Sequence, residues 1–527
     1  MARTALQKLS ALVLLASFTA AVDVAIPLNP ARDAPVISPS HISLSIEADR
    51  WTSWSGTTSR NEFFYNTLDN LKQITGAPPN IRIGADSEDH TFFRSDVDFQ
   101  EAVFPDPTAN TPYPEAASLV VGDSYYATTR FLPPGTHVTW GVNFGAQNLT
   151  SAYLSTRSIV KTFNSAEVKK AGIVLDYLEI GNEPDHLVKD GLRPPTYSSA
   201  DWVQEWTSFA NNISLAAGIT EKSYTKFITS SLAGLKWGMS PSKAFDAGLT
   251  NSKVGKLIST ISQHQYSGNF CSGGDFLLQA LMDKYTIRSN LTILVPEIRK
   301  TQAHGLKFIL GETNSYACHG APGVSNTAGA ALWQIDYSLY ASQLGIENLF
   351  FHNGVGYKYN MIQPVALDRS SLTGESLATP EPAHVQPTYY AAVVVAEAID
   401  KSTNTRVAEI NVDHPWISGY AFYQGSQLQR AVFVNLKGHF ASTTTERESV
   451  HIDLGFAGNA RGGRGPSEMT VKRLAIKTAN DVAGLTWGGV SYDTKDGRPT
   501  GRVTVEKGKV SEGVDIHATE AILVQFL

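Results

Sequence analysis

The sequence contains little charge and almost no cysteine, and both shortages exclude classes of protein. Charged residues make up 17% of the 527 residues, against roughly 25% in an average soluble protein. That share excludes a long coiled coil and a charge-rich disordered chain. The formal net charge is −6, so no nucleic-acid partner is expected. Two cysteines, Cys271 and Cys318, are too few ligands for a zinc site, and no metal is expected.

Long apolar runs are also rare, and the longest lies at the N-terminus. Residues 1–8 carry Arg3 and Lys8 but no acid, and an apolar run covers 9–22. This run is shorter than the roughly 20 residues needed to cross a membrane. With small residues at Thr19 and Ala21, the segment 1–21 predicts a secretory signal peptide, and a membrane anchor is the alternative. We therefore expect a secreted, extracellular protein that has no membrane partner after signal cleavage.

Secretion changes what several other residues indicate. In an oxidising compartment Cys271 and Cys318 are expected to form a disulfide, with two reduced, buried thiols as the alternative. The sequence also holds three Asn-X-Ser/Thr sequons, at Asn148, Asn212 and Asn290. Behind a signal peptide these three positions become candidate glycosylation sites on the surface.

Eight short apolar runs, separated by amphipathic helix candidates, dominate the first 400 residues. The runs are 42–47, 80–86, 137–145, 174–183, 227–233, 261–268, 307–312 and 348–353. Such continuous apolar runs are typical of parallel strands that are buried on both faces. Eight β–α alternations predict an α/β fold, a (β/α)8 TIM barrel over residues 41–400. A doubly wound open sheet is the alternative, although no Gly-rich dinucleotide fingerprint follows the first strand.

The sequence pattern changes after residue 400. Short stretches alternate apolar and polar residues, Gly, Asp and Asn separate them, and helix signals vanish. This pattern predicts a C-terminal antiparallel β-sandwich over residues 401–527. The proline-bearing segment 22–40 is expected to join that sandwich before the barrel begins.

Two predicted barrel strands end in a glutamate within a short polar motif. The fourth ends in Gly-Asn182-Glu183-Pro and the seventh in Gly-Glu312-Thr-Asn. Barrel enzymes act at the C-terminal ends of their strands, and strands four and seven face each other across the mouth. Retaining glycoside hydrolysis needs such a pair, an acid and a nucleophile about 5–5.5 Å apart. The pair predicts this chemistry, with Asn182 on the sugar 2-hydroxyl, and two unrelated surface glutamates are the alternative.

Five motifs carry a family resemblance. They are IRIGADSED at strand two, EIGNEPD at strand four, HQYSG at strand six, ILGETNS at strand seven and FFHNG at strand eight. In these motifs the chain resembles the secreted β-glucuronidases of glycoside hydrolase family 79, in the retaining clan A, to which heparanase is distantly related. The resemblance implies that Glu183 is the acid/base, that Glu312 is the nucleophile and that Tyr266 hydrogen-bonds the nucleophile. Core packing is the alternative role for Tyr266. It implies no cofactor, because the glutamates carry the whole reaction.

Strand positions extend the predicted site beyond the two glutamates. Glu47, at the end of strand one, resembles the family's acidic residue that binds sugar hydroxyls, with a salt bridge as the alternative. Arg82 lies inside the barrel by strand alternation and is expected to orient Glu312 by ion pairing. His264 lies two residues before Tyr266 and so faces the same side of its strand, either in the site or as a packing histidine.

The resemblance also implies how a uronate is bound. Family members use tyrosine hydroxyls and backbone amides near the nucleophile loop, and neutral donors of this kind can hold a carboxylate. The candidate positions after strand seven are Tyr316 and the amides of residues 318–320, which include that of Gly320, and those after strand eight are Tyr357 and Tyr359. Which of these tyrosines corresponds to the family's tyrosine is left open by the sequence. Lys358, between the two tyrosines, is interpreted as a solvated loop lysine, with a positive charge for the uronate as the alternative.

The expected partner is a glycan or proteoglycan that bears β-linked glucuronic acid or its 4-O-methyl form. An arabinofuranosidase or β-xylosidase of the same clan shares the glutamate pair and is the first alternative. A secreted carbohydrate-binding protein on an inactive barrel is the second, and the intact Glu183 and Glu312 argue against it. Whether the enzyme trims chain ends or cuts internally depends on loop shape, which the sequence leaves open.

Overall fold

The computed structural model describes residues 20–458 and 465–527. The signal peptide predicted for residues 1–21 therefore lies outside the described residues, apart from its last two positions. Within the described ranges, no helix is both long enough and apolar enough to cross a membrane.

Eight parallel strands close into a barrel, which confirms the predicted fold class. In chain order they are Ile42–Glu47, Ile81–Gly84, His137–Val142, Val174–Ile180, Lys226–Leu232, Ile258–Asn269, Lys307–Ala317 and Leu349–Asn353. The first strand pairs with the second and with the eighth, where Ile42 lies opposite Leu349, and this pairing closes the ring. Strands one, two and eight are buried along their whole length, because helices cover the barrel and side chains fill it.

Strands six and seven extend beyond the apolar runs that predicted them. Their polar ends pair with each other, with Tyr266 opposite Asn314 and Gly268 opposite Tyr316. Strand four does the reverse and ends at Ile180, so Glu183 lies on the turn that follows it. Hydrophobicity alone could not set these ends, because the backbone ladder continues wherever two polar segments also pair.

Helices follow the barrel strands and pack around them. In chain order the α-helices of the described ranges are Trp51–Ser55, Glu62–Thr75, Asp123–Ala127, Leu149–Phe163, Ala166–Ala171, Ser199–Ala217, Pro241–Asp246, Leu278–Leu281, Lys284–Thr292, Val295–Ala303, Ala328–Gln343 and Pro387–Ile399. Asn61, Asn148 and Ser198 cap three of them, each accepting a hydrogen bond from the backbone N–H three residues later.

An insert between strands two and three adds a small sheet at the carboxyl end of the barrel. Its strands are Thr91–Phe93, Gln100–Val103 and Ser118–Val121. Two short hairpins follow strand eight, Ile362–Gln363 with His384–Val385 and Leu367–Arg369 with Ser376–Glu381. Because these additions follow the carboxyl ends of strands two and eight, they lie at the end of the barrel where the predicted site is.

The C-terminal domain is a β-sandwich, as predicted. Its larger sheet is antiparallel, with the spatial order Thr405–Ile410, Ile417–Gln424, Gln427–Asn435, Glu520–Phe526, Glu468–Ala475, Thr486–Trp487, Val490–Ser491 and Thr500–Gly501, and Glu506–Lys509 pairs with Glu468–Ala475. The smaller sheet holds Ala20–Pro27, Ser449–Ala457 and Val514–His517. Apolar side chains from both sheets, such as Val24, Ile452 and Phe433, form a core of their own.

The N-terminal strand of the described chain belongs to this sandwich. Ala20–Pro27 pairs in parallel with Ser449–Ala457, so the smaller sheet is mixed rather than purely antiparallel. The other face of the larger sheet packs on the barrel. There Tyr420 donates to the buried Asp336 at 2.6 Å, and Asp336 also pairs with Arg288 at 2.5 Å.

Candidate active site

Glu183 and Glu312 meet at the carboxyl end of the barrel. Glu312 lies within the seventh strand, and Glu183 lies just beyond Ile180, the last residue of the fourth. A carboxylate oxygen of each, together with a ring nitrogen of His264, lie within 4.8 Å of one another. This separation is close to the about 5–5.5 Å of retaining glycosidases and well below the about 6.5–9.5 Å of inverting ones. The two groups can therefore act on one anomeric carbon.

A strained turn aims Glu183 into the barrel mouth. Its φ is 44°, in the left-handed region that non-glycine residues rarely adopt. Its N–H donates to the carbonyl of Ser231 in the fifth strand at 3.0 Å. Gly181 precedes it with φ 79°, and a Cβ there would come within 2.6 Å of Phe144. Only glycine fits this close approach, so the Gly-Asn-Glu motif has a backbone reason as well as a chemical one.

Two histidines hold the carboxylate of Glu183. Nδ1 of His264 lies 2.9 Å from Oε1, and Nδ1 of His186 lies 3.0 Å from Oε2. Burial alone would raise the pKa of Glu183, but hydrogen bonds from His186 and His264 hold it below its ordinary value. The pKa of His186 is raised: burial opposes the shift, and the hydrogen bond and charge of Glu183 outweigh it. The proton of this pair therefore lies on the imidazole side in the free protein.

Arg82 lies beneath the site with every N–H group paired. Nε and Nη2 donate to the two oxygens of Glu179 at 2.8 and 2.7 Å. Nη1 donates to Ser45 at 2.9 Å and to Oε2 of Glu312 at 2.8 Å, and Nη2 also donates to Oδ1 of Asn182 at 2.9 Å. The guanidinium thus fixes Glu312 and Asn182 relative to each other, as only a planar fork of five donors can.

Glu312 is held ionised by the groups that surround it. The hydroxyl of Tyr266 donates to Oε1 at 2.7 Å, the contact that the sequence predicts. Burial would raise the pKa of Glu312, but the charges of His352, His264 and Arg82 lower it. Burial and the charge of Glu312 raise the pKa of Tyr266, so its hydroxyl remains a donor. An ionised, oriented carboxylate is what a nucleophile at this position needs.

Glu47 lies at the end of strand one and faces His352 from strand eight. Its Oε1 accepts from the backbone and the hydroxyl of Ser87, and its Oε2 lies 3.3 Å from Nε2 of His352. Burial and the charge of Glu115 raise the pKa of Glu47 well above its ordinary value. Burial lowers the pKa of His352. The carboxylate of Glu47 thus already has protein partners, Ser87 and His352, and it also lies beside the site.

The loops after strands seven and eight form one wall with the insert. Tyr357 donates to Oε1 of Glu115 at 2.9 Å, and His319 lies 2.5 Å from the same oxygen. The rings of His319 and Tyr357 stack with centroids 3.7 Å apart. Burial opposes the shift, but the charge and hydrogen bond of His319 lower the pKa of Glu115 to about 2. Tyr359 is buried next to this wall, with its ring 6.2 Å from that of Tyr266.

Two expectations for these loops need correction. Gly320 does not offer the free amide predicted for it, because its N–H already donates to the carbonyl of Tyr316 at 3.1 Å. Lys358 is not a solvated lysine: it is 1% exposed, its Nζ donates to the carbonyl of Asn110 at 3.2 Å, and burial lowers its pKa to about 8. Tyr316 is half-buried and packs its ring on Phe276, with centroids 5.1 Å apart.

Cys271 and Cys318 form a disulfide, as the sequence predicts. The bridge joins the loop after strand six to the loop after strand seven. Cys318 and the following His319 both have left-handed backbones, with φ of 64° and 65°. The bridge therefore fixes a strained turn that contains His319, and the side chain of His319 reaches Glu115.

The three sequons differ in their environments. Asn148 is exposed at a helix start, where its Oδ1 caps the N–H of Ser151. Asn212 is partly buried, and its Oδ1 finds no partner within residues 20–458 and 465–527. Asn290 donates its Nδ2, the atom that would carry a glycan, to the carbonyl of Tyr266 at 3.0 Å. Asn148 therefore stays a candidate acceptor, and Asn290 would have to give up its hydrogen bond to Tyr266 in order to carry a glycan.

Glu183, His264 and Glu312 are close enough to be considered as cation ligands. Each of the four carboxylate oxygens, however, already faces a hydrogen-bonding group of Arg82, Tyr266 or a histidine. A cation would have to displace these groups and would be repelled by the guanidinium. The donor set fits acid–base and nucleophilic chemistry better than metal binding.

Sequence reasoning missed four residues of the site. His186 lies three residues after Glu183, and His352 is the histidine of the FFHNG motif. Both lie near the end of a barrel strand, and this position was a signal that the sequence offered. Glu115 and His319 are 204 residues apart in sequence. They carry no local signal, because only the insert between strands two and three brings them together.

The C-terminal domain matches a family model. Residues 419–523 match the glycosyl hydrolase family 79 C-terminal beta domain. This range covers most of the sandwich strands, so the match applies to that domain rather than to the barrel with its glutamate pair.

Comparison with characterised proteins extends the likeness to nearly the whole chain. A β-glucuronidase of Neurospora crassa is 28% identical over 562 aligned residues, which cover 96% of each chain. A β-glucuronidase of Aspergillus niger is 29% identical and covers 91% of this chain and 88% of its own. A 4-O-α-L-rhamnosyl-β-D-glucuronidase of Fusarium oxysporum shares the fold, with a TM-score of 0.75 and 21% identity over 96% of this chain and all of its own. This chain is a glycoside hydrolase that resembles the β-glucuronidases of family 79.

Proposed function

We propose that this chain is a retaining β-glucuronidase. It removes β-linked glucuronic acid, or its 4-O-methyl form, from a glycan or proteoglycan. The observation that carries the proposal is the approach of the Glu183 and Glu312 carboxylates to within 4.8 Å of each other. That separation supports double displacement rather than single displacement with an intervening water. The named activities of the similar fungal proteins support the choice of sugar.

The reaction proceeds in two displacements. In the first, Glu312 attacks the anomeric carbon and forms a glycosyl ester. Glu183 passes the proton that it shares with His186 to the departing glycosidic oxygen as the bond from that oxygen to the anomeric carbon breaks. In the second, Glu183 takes a proton from water, which attacks the same carbon and releases Glu312. Each displacement inverts the carbon, so the two together retain the β configuration.

Asn182 supports the sugar next to the nucleophile. Its Oδ1 accepts from Arg82 at 2.9 Å, which leaves the two hydrogens on Nδ2 for a ligand. A donor there binds the sugar 2-hydroxyl, a contact that strengthens in the oxocarbenium-like transition state. The orientation of the amide follows from its contact with Arg82, because only the oxygen can accept.

Tyrosine hydroxyls bind the uronate carboxylate in this proposal. Tyr359 lies beside Tyr266 and close to the nucleophile, and Tyr316 lies at the outer end of the nucleophile strand. Tyr357 has a different role, because its hydroxyl is taken by Glu115. It positions the wall, and Tyr359 and Tyr316 supply the neutral donors.

Secretion is part of the proposal. It rests on the signal-like sequence of residues 1–21 and agrees with the Cys271–Cys318 disulfide, since such bonds persist in oxidising compartments. Recovery of the protein from culture medium with a mature N-terminus near residue 22 would support it. Retention of the full-length chain inside the cells would contradict it.

Hydrolysis of matched 4-nitrophenyl glycosides tests the activity. We expect the β-glucuronide to be cleaved in preference to the β-glucoside and β-xyloside at mildly acidic pH, with the β anomer of glucuronic acid as the first product by NMR. Glu312→Gln is the matched control, since it keeps the shape of the side chain and removes the nucleophile.

Each other outcome identifies an alternative. Preference for a neutral sugar would keep the glutamate mechanism and replace the substrate, as for an arabinofuranosidase or xylosidase. An α-anomeric first product would contradict the retaining mechanism. Equal activity of wild type and Glu312→Gln would contradict the role of Glu312, and silence on glycan substrates as well would leave a carbohydrate-binding protein.

A further inference from the structure

A cavity of about 570 Å³ opens next to the loops that follow strands four and five. Its lining includes Asp185, Tyr197, Trp237, Met239 and Lys243. The volume lies within the about 300–1,000 Å³ typical of small-molecule sites. The two-glutamate reaction and the donor-sugar contacts proposed above do not use this cavity.

Trp237 connects the cavity to the acid/base residue. Its indole packs edge-on against His186 with ring centroids 4.8 Å apart, and Nδ1 of His186 lies 3.0 Å from Oε2 of Glu183. The indole is nevertheless 41% exposed. Trp202 and Trp206, on the helix after strand four, are by contrast buried in the core. Part of the indole of Trp237 is therefore accessible to a ligand that lies beside the acid/base residue.

The chemistry of the reaction decides which part of the substrate lies on the side of the cleft that holds Glu183 and Trp237. The general acid protonates the leaving oxygen, so the leaving group must lie on the side of Glu183. The loops after strands four and five form that side. The groups proposed to surround the donor sugar, Glu47, Glu312 and Tyr359, come from strands one, seven and eight. The cavity next to Trp237 is therefore on the leaving-group side of the cleft.

We propose that Trp237 is the platform of an aglycone subsite, which binds a neutral sugar residue of the glycan that carries the glucuronic acid. A pyranose ring has an apolar face, which stacks on the indole, and polar edges, which need donors. Nζ of Lys189 and Nζ of Lys236 lie 5.7 and 5.1 Å from the centroid of the indole ring. Both ammonium groups lie over the ring, so a sugar that stacks there displaces them from the indole, and they can then donate to the hydroxyl oxygens at its edge. The inference rests on the proposed glucuronidase function.

The test compares two substrates that differ only in the leaving group. One is methyl β-D-glucuronide, whose aglycone is too small to reach Trp237, and the other is a neutral trisaccharide that carries a terminal β-glucuronosyl residue. For Trp237→Ala we expect kcat/KM on the oligosaccharide to fall about tenfold relative to kcat/KM on the methyl glycoside. Trp237→Phe keeps an aromatic face and should recover most of this ratio. Tyr285→Ala, which removes a 69% exposed aromatic on the helix Lys284–Thr292, is the control and should leave the ratio unchanged.

The outcomes separate the subsite from the reaction. If Trp237→Ala keeps the wild-type kcat/KM on both substrates, the subsite is overturned. It is also overturned if kcat/KM falls equally on both substrates, because Trp237 would then act on the chemistry through His186. If neither the wild type nor any variant releases glucuronic acid from either substrate, the proposed function itself has failed. Product inhibition gives a second readout: the free neutral trisaccharide should inhibit the wild type more strongly than Trp237→Ala.

Discussion

Nδ1 of His186 lies 3.0 Å from Oε2 of Glu183, the carboxylate proposed as the acid/base. The contact lowers the pKa of the glutamate and raises that of the histidine. The proton needed by the leaving group is therefore stored mainly on the imidazole side and must reach Glu183 when substrate is bound. The two residues titrate as a coupled pair.

This coupling predicts the pH dependence of a His186→Gln variant. In the wild type the last proton of the pair is lost at the raised pKa of His186, so activity persists to a relatively high pH. Without this imidazole the pair has lost the group whose pKa is raised, and only His264 still contacts Glu183. The proton should then be lost at a lower pH, even though the pKa of Glu183 itself rises. We expect the basic limb of the kcat/KM profile to move to lower pH. A profile that keeps its basic limb would show that His186 does not share the acid proton.

Glu183→Gln should affect substrates according to their leaving groups. A general acid contributes about 10²–10⁴-fold, and only where the departing oxygen needs a proton. We expect a loss of this size in kcat/KM for an alkyl glucuronide and a much smaller loss for a dinitrophenyl glucuronide, measured side by side. Added azide should accelerate Glu183→Ala and yield the β-glucuronosyl azide. Equal losses on both leaving groups would assign the acid role elsewhere.

Removal of Arg82 should damage both stability and catalysis. Arg82→Met leaves the buried carboxylates of Glu179 and Glu312 without their counter-ion, which costs about 3–5 kcal/mol in the free energy of unfolding. Because the charge of Arg82 is among those that lower the pKa of Glu312, its loss should raise that pKa. The acid limb of the kcat/KM profile should then move to higher pH. Arg82→Lys is the matched control: it keeps the charge, so the limb should move less while the lost hydrogen bonds still lower kcat.

The disulfide should stabilise the fold and the wall of the site. Cys271 and Cys318 are 47 residues apart, and closing a loop of that length stabilises a protein by up to about 4 kcal/mol. We expect the Cys271→Ser, Cys318→Ser double variant to unfold at lower denaturant concentration. Its KM for the glucuronide should also rise, because the left-handed turn that carries His319 is no longer fixed. An unchanged KM in a folded double variant would separate the bridge from substrate binding.

The amino-acid sequence by itself determined the architecture and predicted Glu183 and Glu312 as the candidate pair. Continuous apolar runs at regular spacing are enough to indicate a parallel barrel, because strands buried on both faces tolerate little else. Once the barrel is recognised, Glu183 and Glu312 follow from their places at strand ends four and seven. Arg82 follows from strand alternation, and Tyr266 from the family resemblance.

Only the tertiary structure decided which partners these groups have and in which direction their pKa values shift. The pairing of His186 and His264 with Glu183 depends on a left-handed turn, and the pairing of Glu115 with His319 depends on an insert that meets a distant loop. Sequence patterns report the periodicity of burial along one segment, but they do not report which two segments meet. The pKa of a buried group depends on contacts between such distant segments, because burial and neighbouring charges act through distance in space. The sequence therefore predicted the acid and the nucleophile, and the tertiary structure set the contacts that shift the pKa values of these two glutamates.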